Sequence, residues 1–222
     1  MKQKRPTPTI EDYLGVIYTL ERDREVVISA RLVEWMDVSA PTVTATVKRM
    51  VRDGWVRMDE RKEIRLTPRG QEAAQSLMRR HMLSELLLTR MLDVPWSRAH
   101  QEADEMEHTL SLETMQRIQE RLDDPKTCPH GNPLPGHEPM LKEWTPLTQA
   151  EPGQPVMIRR VHESAEENAA LMVFLEEHLL MPGTEATVRE IIPVNQTISL
   201  QVGHKVVVLG VGVADLIYVQ AL

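Results

Sequence analysis

The sequence predicts a mainly helical protein with α+β parts: a winged helix-turn-helix first, a helical segment next, and a compact, mostly β module last. Three observations predict it. Residues 9–66 show helical periodicity broken by turn signals and then two short period-two runs. Helical spacing resumes over 67–123. Beyond a stretch with seven prolines between residues 124 and 153, the apolar pattern alternates with period two.

Taken in order, Thr9 reads as an N-cap, with Asp12 three residues on and Ile10, Leu14, Ile17, Tyr18 and Leu20 as the apolar face of a helix ending near Glu21. A second helix spans Ile28 to Trp35. The polar turn 37–40 then leads to Pro41, a first-turn residue of a third helix that runs to Asp53 and stops at Gly54. That helix turns Val43, Val47, Met50 and Val51 inward and Thr42, Thr44, Lys48, Arg49 and Arg52 outward. Residues 55–58 and 63–66 alternate around the polar turn 59–62, which is the pattern of a β-hairpin. Helix, turn, helix, hairpin is a winged helix-turn-helix. Hydroxyls and cations on its third helix, with Arg57, Arg61, Lys62 and Arg65 on the hairpin, suit phosphate oxygens; a solvated basic face is the plainer reading.

A helix restarts at Thr67-Pro68 and runs to Met91. Pro95 interrupts it, and another helix is expected from about Ser97 to Asp123. The Pro-rich stretch reads as a linker. After it come strands at 156–161, 185–192, 197–202, 205–209 and 216–220, enclosing one helix at 166–178.

Metal-type ligands concentrate in the middle segment. At 100° per residue, His100, Asp104, Glu107 and His108 share one helix face with Ala103, Met106 and Leu110. Carboxylates in so apolar a setting are costly unless a cation or hydrogen-bond partner compensates them. On the preceding helix His81 and Glu85 are one turn apart and can meet His100, and Glu102, if the helices pack antiparallel; Asp12 can complete a second cluster with Asp104, Glu107 and His108. Each pair alone is more often a surface salt bridge or helix pair than a ligand pair, and the joint pattern brings the two readings level.

The net charge of −7 hides a division. Residues 1–70 hold 14 basic and 11 acidic side chains, and the remainder 12 and 22, so a mildly basic head sits on an acidic body. DNA contact is therefore expected from one face only. Cys128 is the sole cysteine, which excludes an intramolecular disulfide framework and reads as structural or incidental in a reducing compartment. No apolar run nears the roughly 20 residues that span a bilayer, and no apolar leader follows the basic start, so a cytoplasmic protein without membrane partners is expected. H-E-x-x-H, G-x-S-x-G and Walker loops are absent, and a metal-dependent hydrolase finds no oxyanion donors here; the reading is not an enzyme.

Six segments carry a resemblance: E-D-Y-L-G-V-I-Y (11–18), S-A-P-T-V-T-A-T-V-K-R-M-V-R-D-G (39–54), L-T-P-R-G (66–70), M-R-R-H-M-L-S-E-L-L-L (78–88), H-Q-E-A-D-E-M-E-H-T-L-S (100–111) and C-P-H-G-N-P-L-P-G (128–136). In these the chain resembles the diphtheria-toxin-repressor family of iron- and manganese-dependent transcriptional regulators, over essentially its whole length. The resemblance implies a winged helix-turn-helix DNA-binding domain at 1–72, a helical dimerisation and metal-binding domain at 73–138, a Pro-rich linker at 139–152 and an SH3-like domain at 153–222. It also implies a homodimer, a palindromic operator on double-stranded DNA, and two cation sites per chain.

The resemblance assigns a regulatory site to Asp12, Asp104, Glu107 and His108, and a second site to His81, Glu85 and His100. Iron-responsive members carry Met at the position of Asp12 and Cys at that of Asp104; carboxylates at both favour Mn²⁺ over Fe²⁺. Gly15 stands where manganese regulators lacking the third domain often have Glu, so their two-metal arrangement is not copied in full. Where a relative's SH3-like module supplies a Glu and a Gln, this chain reads E-E-N-A-A-L at 166–171, with Glu167 as the expected ligand. Ser39, Pro41, Thr42, Thr44, Lys48, Arg49 and Arg52 are the expected DNA contacts. The family's base-reading Gln falls on Ala45, leaving methyl contacts and DNA shape more of the sequence preference. A winged-helix regulator answering to a small organic effector is the alternative.

Overall fold

The computed structural model describes residues 6–222 and divides into two compact units, one ending at Arg80 and the other beginning at His81. The basic stretch 1–5 lies outside the described residues. Among the described residues no helix is long and apolar enough to cross a membrane.

The first unit holds α1 (Pro8–Arg22), α2 (Ser29–Met36), α3 (Ala40–Arg52), the hairpin β1 (Val56–Met58) and β2 (Ile64–Leu66), and the first half of α4 (Pro68–Met91). Helix α1 starts one residue before the expected cap: Thr7 is the cap residue and Pro8, whose ring presets a helical φ, is the first helical one. Leu14, Ile17, Leu20, Leu32, Val43, Met50 and Ile64 are buried, each worth about 1.5–3 kcal/mol relative to exposure. Ser39 caps α3 by accepting from the Thr42 backbone N–H at 3.4 Å. The hairpin pairs Val56 with Leu66 and Met58 with Ile64, and the Ile64 N–H donates to Val27, tying the wing to the α1–α2 connection.

The second unit begins within α4 and continues through α5 (Ala99–Glu107) and α6 (Leu112–Arg121) to a six-stranded antiparallel sheet. That sheet has the order β3 (Thr145–Pro146), β8 (Ile217–Ala221), β4 (Pro155–Val161), β5 (Glu185–Ile192), β6 (Thr197–Val202), β7 (Lys205–Gly210). Three short helices, α7 (Glu163–Glu166), α8 (Ala169–Glu177) and α9 (Val211–Ala214), complete the module. Ile158, Met172, Leu175, Val188, Leu200 and Ile217 fill its core.

Three sequence expectations are corrected. The helix expected over 97–123 is two helices, because Thr109 Oγ1 bonds back to the Met106 carbonyl and Ser111 opens a new helix by accepting from the Thr114 N–H at 3.1 Å. The helix expected over 166–178 starts later, at Ala169, since Asn168 caps α8 by accepting from the Leu171 N–H, and the short α7 that precedes it was not expected. The β module starts earlier than 153: Thr145 and Pro146 pair with Val219 and Tyr218, and Leu147 lies in its core. Proline content suggested a tether there, yet Pro146 fits an edge strand, where a missing N–H breaks no ladder.

The segment Cys128–Pro135 is likewise packed. His130 accepts from the Val161 N–H of β4 at 2.8 Å, and an alanine methyl at Gly131 would lie 2.0 Å from the Arg159 carbonyl oxygen in a residue already at φ +89°. Gly131→Ala is therefore expected to destabilise the second unit by about 2–4 kcal/mol in chemical denaturation, and a loss below about 0.5 kcal/mol would contradict the close approach.

Candidate metal centre

Helix α4 carries His81 and Glu85 one turn apart, with His81 Nε2 at 3.3 Å from Glu85 Oε1. Helix α5 brings His100, and its approach is set from the β module: Glu176 of α8 accepts from the Trp96 N–H at 2.9 Å and from the Ser97 hydroxyl, holding the turn that leads into α5. Glu166, the last residue of α7, completes the group, with Oε2 at 2.9 Å from His100 Nδ1. One ligand atom from each of His81, Glu85, His100 and Glu166 falls within 4.8 Å of all the others, and all four side chains are buried.

His130 joins them from the Cys128–Pro135 segment. Its Nε2 donates to the Trp96 carbonyl at 3.0 Å, which leaves Nδ1 facing Glu85 Oε1 at 3.1 Å and Glu166 Oε2 at 3.3 Å. A neutral ring there aims a lone pair at two carboxylates. His81 Nε2 and His100 Nδ1 also confront each other at 2.9 Å, while buried Glu85 Oε2 and His100 Nε2 have no hydrogen-bond partner among the described residues. Ligand atoms converging on one point, two of them without a hydrogen-bond partner, are an arrangement a divalent cation resolves, and two carboxylates with imidazoles form a set suited to Mn²⁺, Fe²⁺ or Zn²⁺.

Without a cation, protons must supply the positive charge. Burial opposes charge on His81, but Glu85, with Asp104 and Glu107 on the other ring nitrogen, overrides it and holds His81 well above the ordinary histidine value. The same contest lifts His100, through Glu166, Glu167 and Glu85, and His130, through Glu166 and Glu85. Burial likewise opposes charge on Glu85, and His130, His81 and His100 outweigh it to hold that carboxyl well below its usual range.

A second acidic group adjoins the first. His81 Nδ1 lies 2.8 Å from Glu107 Oε2 and 3.2 Å from Asp104 Oδ1, and His108 Nε2 lies 3.4 Å from Glu107 Oε1. Of the four residues that the resemblance assigned to the regulatory site, three thus lie in the second unit; Asp12 stands on α1 in the first. Glu102 pairs with Arg98 instead of joining either group. Glu167 is the residue expected from this stretch; the break after α7 turns Glu166 into the buried cluster and leaves Glu167 exposed at its edge, 3.6 Å from His100 Nε2. In the first unit Ser39, Pro41, Thr42, Thr44, Lys48, Arg49 and Arg52 are all exposed along and beside α3.

An N-terminal DNA-binding domain model of iron-dependent repressors matches residues 6–64, and an iron-dependent repressor metal-binding and dimerisation domain model matches residues 67–136. A FeoA domain model matches residues 145–221. The iron-dependent repressor IdeR of Mycobacterium leprae is 34% identical over 212 residues, covering 90% of this chain and 92% of that protein. The chain belongs to the iron-dependent repressor family. Among solved structures, the manganese regulator SloR is 30% identical with a TM-score of 0.79, covering 98% of this chain and 100% of that one. ScaR with bound Zn²⁺ is 28% identical with a TM-score of 0.80 and the same coverage.

In this member of the iron-dependent repressor family, His81, Glu85, His100 and His130 fall in the metal-binding match, whereas Glu166 comes from the FeoA match. Sequence reasoning missed Glu166, His130 and Cys128. Cys128 offers its sulfur within 4.8 Å of ligand atoms of Glu85 and His130, and burial with the Glu85 charge pushes its thiol up to about 12. The signal was the Cys-x-His spacing followed by Gly131, which presents both side chains from one tight loop.

These shifts fix a pH dependence. Raised histidines contribute stability that is full below their ordinary value of 6.5 and is lost as pH rises through the folded values; lowered Glu85 contributes stability present above 4.5 and lost as pH falls through its folded value. Chelated protein should therefore lose thermal stability as pH is raised above neutrality, and added Mn²⁺ should restore it with proton release, read by calorimetry in buffers of different ionisation enthalpy. Binding with no proton release would contradict the protonated histidines.

Proposed function

We propose that this chain is a transcriptional repressor activated by a divalent cation, with Mn²⁺ preferred to Fe²⁺, that binds a palindromic operator as a homodimer in the cytoplasm and controls metal-uptake genes. The observation that carries the reading is the buried convergence of His81, Glu85, His100 and Glu166, whose charges and lone pairs call for a cation. DNA binding and dimerisation accord with the family domains that the chain matches.

The cation supplies positive charge that cancels carboxylate repulsion. Asp104 and Glu107 take part in the regulatory site, and the family resemblance adds Asp12 and His108. The preference for manganese rests on donor chemistry. Asp12 and Asp104 offer hard oxygens, and the high thiol value of Cys128 makes the soft thiolate expensive to form. On the DNA side, Ser39, Pro41 and Thr42 stand at the exposed start of α3, with Thr44, Lys48, Arg49 and Arg52 further along the exposed surface. Ala45, also exposed, offers a methyl group and no hydrogen bond, so base discrimination leans on apolar contact and groove shape. For a decisive switch from 1:99 to 99:1, the cation must favour the operator-binding state by about 5.5 kcal/mol.

Mobility shift on genomic fragments with Mn²⁺, Fe²⁺ and Zn²⁺ at matched free concentrations tests the reading, and binding indifferent to chelation would instead favour a small organic effector. Asp12→Ala should abolish cation-stimulated operator binding with circular dichroism unchanged; retained cation dependence would remove Asp12 from the site. Lys48→Ala should weaken binding to all sequences alike and lower the salt slope by about 1, and an unchanged slope would take Lys48 off the phosphates.

A further inference from the structure

We infer that Asn132, itself held by the buried Arg160, is the positioning residue that keeps Glu166 aimed into the metal cluster. This rests on the reading of His81, Glu85, His100 and Glu166 as a cation site.

The two oxygens of Glu166 have different partners. Oε2 faces His100 and His130, while Oε1 accepts from Asn132 Nδ2 at 2.7 Å. The same amide nitrogen donates to the Val161 carbonyl at 2.9 Å, and the amide oxygen accepts from Arg160 Nε. That last contact settles which way the amide points. A guanidinium only donates, so the oxygen of Asn132 must face it, and the NH₂ is left for Glu166 and Val161; a flipped amide would set donor against donor at Arg160 and acceptor against acceptor at Glu166.

Arg160 is fixed in turn. It is 1% exposed, its Nη2 donates to Glu163 Oε2 at 2.9 Å, and its guanidinium lies 4.8 Å from the Tyr218 ring centroid. A buried guanidinium does not give up its proton and is expensive to leave unpaired, so this group is the stiff end of the relay. The backbone supports the same register: Val161 donates to the His130 carbonyl, Cys128 donates to the Asn132 carbonyl, and Gly131 allows the segment to touch β4. Helix α7 has only four residues and is followed by exposed Glu167 and Asn168, so it cannot hold the carboxylate by itself. The relay from Arg160 through Asn132 does, and it makes the β module a resident contributor to the cation site.

Calorimetric titration of the full chain with Mn²⁺, and the visible absorption of its Co²⁺ form, test this. His100→Ala identifies the binding step of the cluster, and Glu166→Gln should weaken that step; if neither does, the cation-site reading fails and the positioning role falls with it. With that step identified, Asn132→Ala and the near-isosteric Asn132→Asp should each weaken it about 10–100-fold and alter the Co²⁺ spectrum, as loss of an outer hydrogen bond to a ligand does. On a Glu166→Gln background, Asn132→Ala should add less than threefold. Thermal melts in chelator separate folding from positioning, and Asn132→Asp serves if Asn132→Ala does not fold. An affinity within twofold and an unchanged Co²⁺ spectrum in a folded Asn132 variant, while Glu166→Gln weakens binding, would overturn the proposal. So would full additivity of the two substitutions.

Discussion

The second unit is organised around one electrostatic constraint: Glu85 and Glu166 are carboxylates removed from water and set close to the same three imidazoles. Moving such charges into the interior is unfavourable by several kcal/mol per ion unless compensation is near and well aimed. Every neighbouring element answers that demand. Helix α4 supplies His81 with Glu85, α5 supplies His100, and the loop before the sheet supplies His130. The positive charge is interchangeable in kind, protons or a cation, and that interchange is what lets a buried cluster report on its surroundings.

The β module is part of this arrangement. Glu166 enters the cluster from α7, Glu176 on α8 braces the turn ahead of α5, and Arg160 on β4 anchors the amide that orients Glu166. Three side chains of one module thus serve as cluster member, brace and anchor within about twenty residues of sequence. A FeoA-like module with these residues is bound to the chemistry of the helices before it, which gives the Pro-rich segment between them a structural role in presenting His130 and Asn132.

Much of this was legible in the residues themselves. Helical spacing put His81 and Glu85 on one face and His100, Asp104, Glu107 and His108 on another, and the structure brings the two groups together through His81, whose ring has one nitrogen on each. The exposed face of α3 followed from the inward set Val43, Val47 and Met50, which leaves Thr42, Thr44, Lys48, Arg49 and Arg52 nowhere else to point; Val51, expected inward with them, is exposed. Less legible were the helix breaks at Ser111 and Asn168. Ser111 is a capping residue inside an otherwise continuous helical pattern and Asn168 one just past its expected start, and local propensity alone does not say which cap is used.

By itself, the sequence determined the winged helix-turn-helix, the division into helical and β parts, and the residue types that can hold a divalent ion, because periodicity and caps act over a few residues. Tertiary structure alone decided that Glu166 and not Glu167 enters the cluster, that His130 and Cys128 belong beside Glu85, and that Arg160 and Asn132 are partners. Those choices depend on which surface of β4 the Cys128–Pro135 segment meets, and contacts between segments about 30 residues apart leave no local pattern to read.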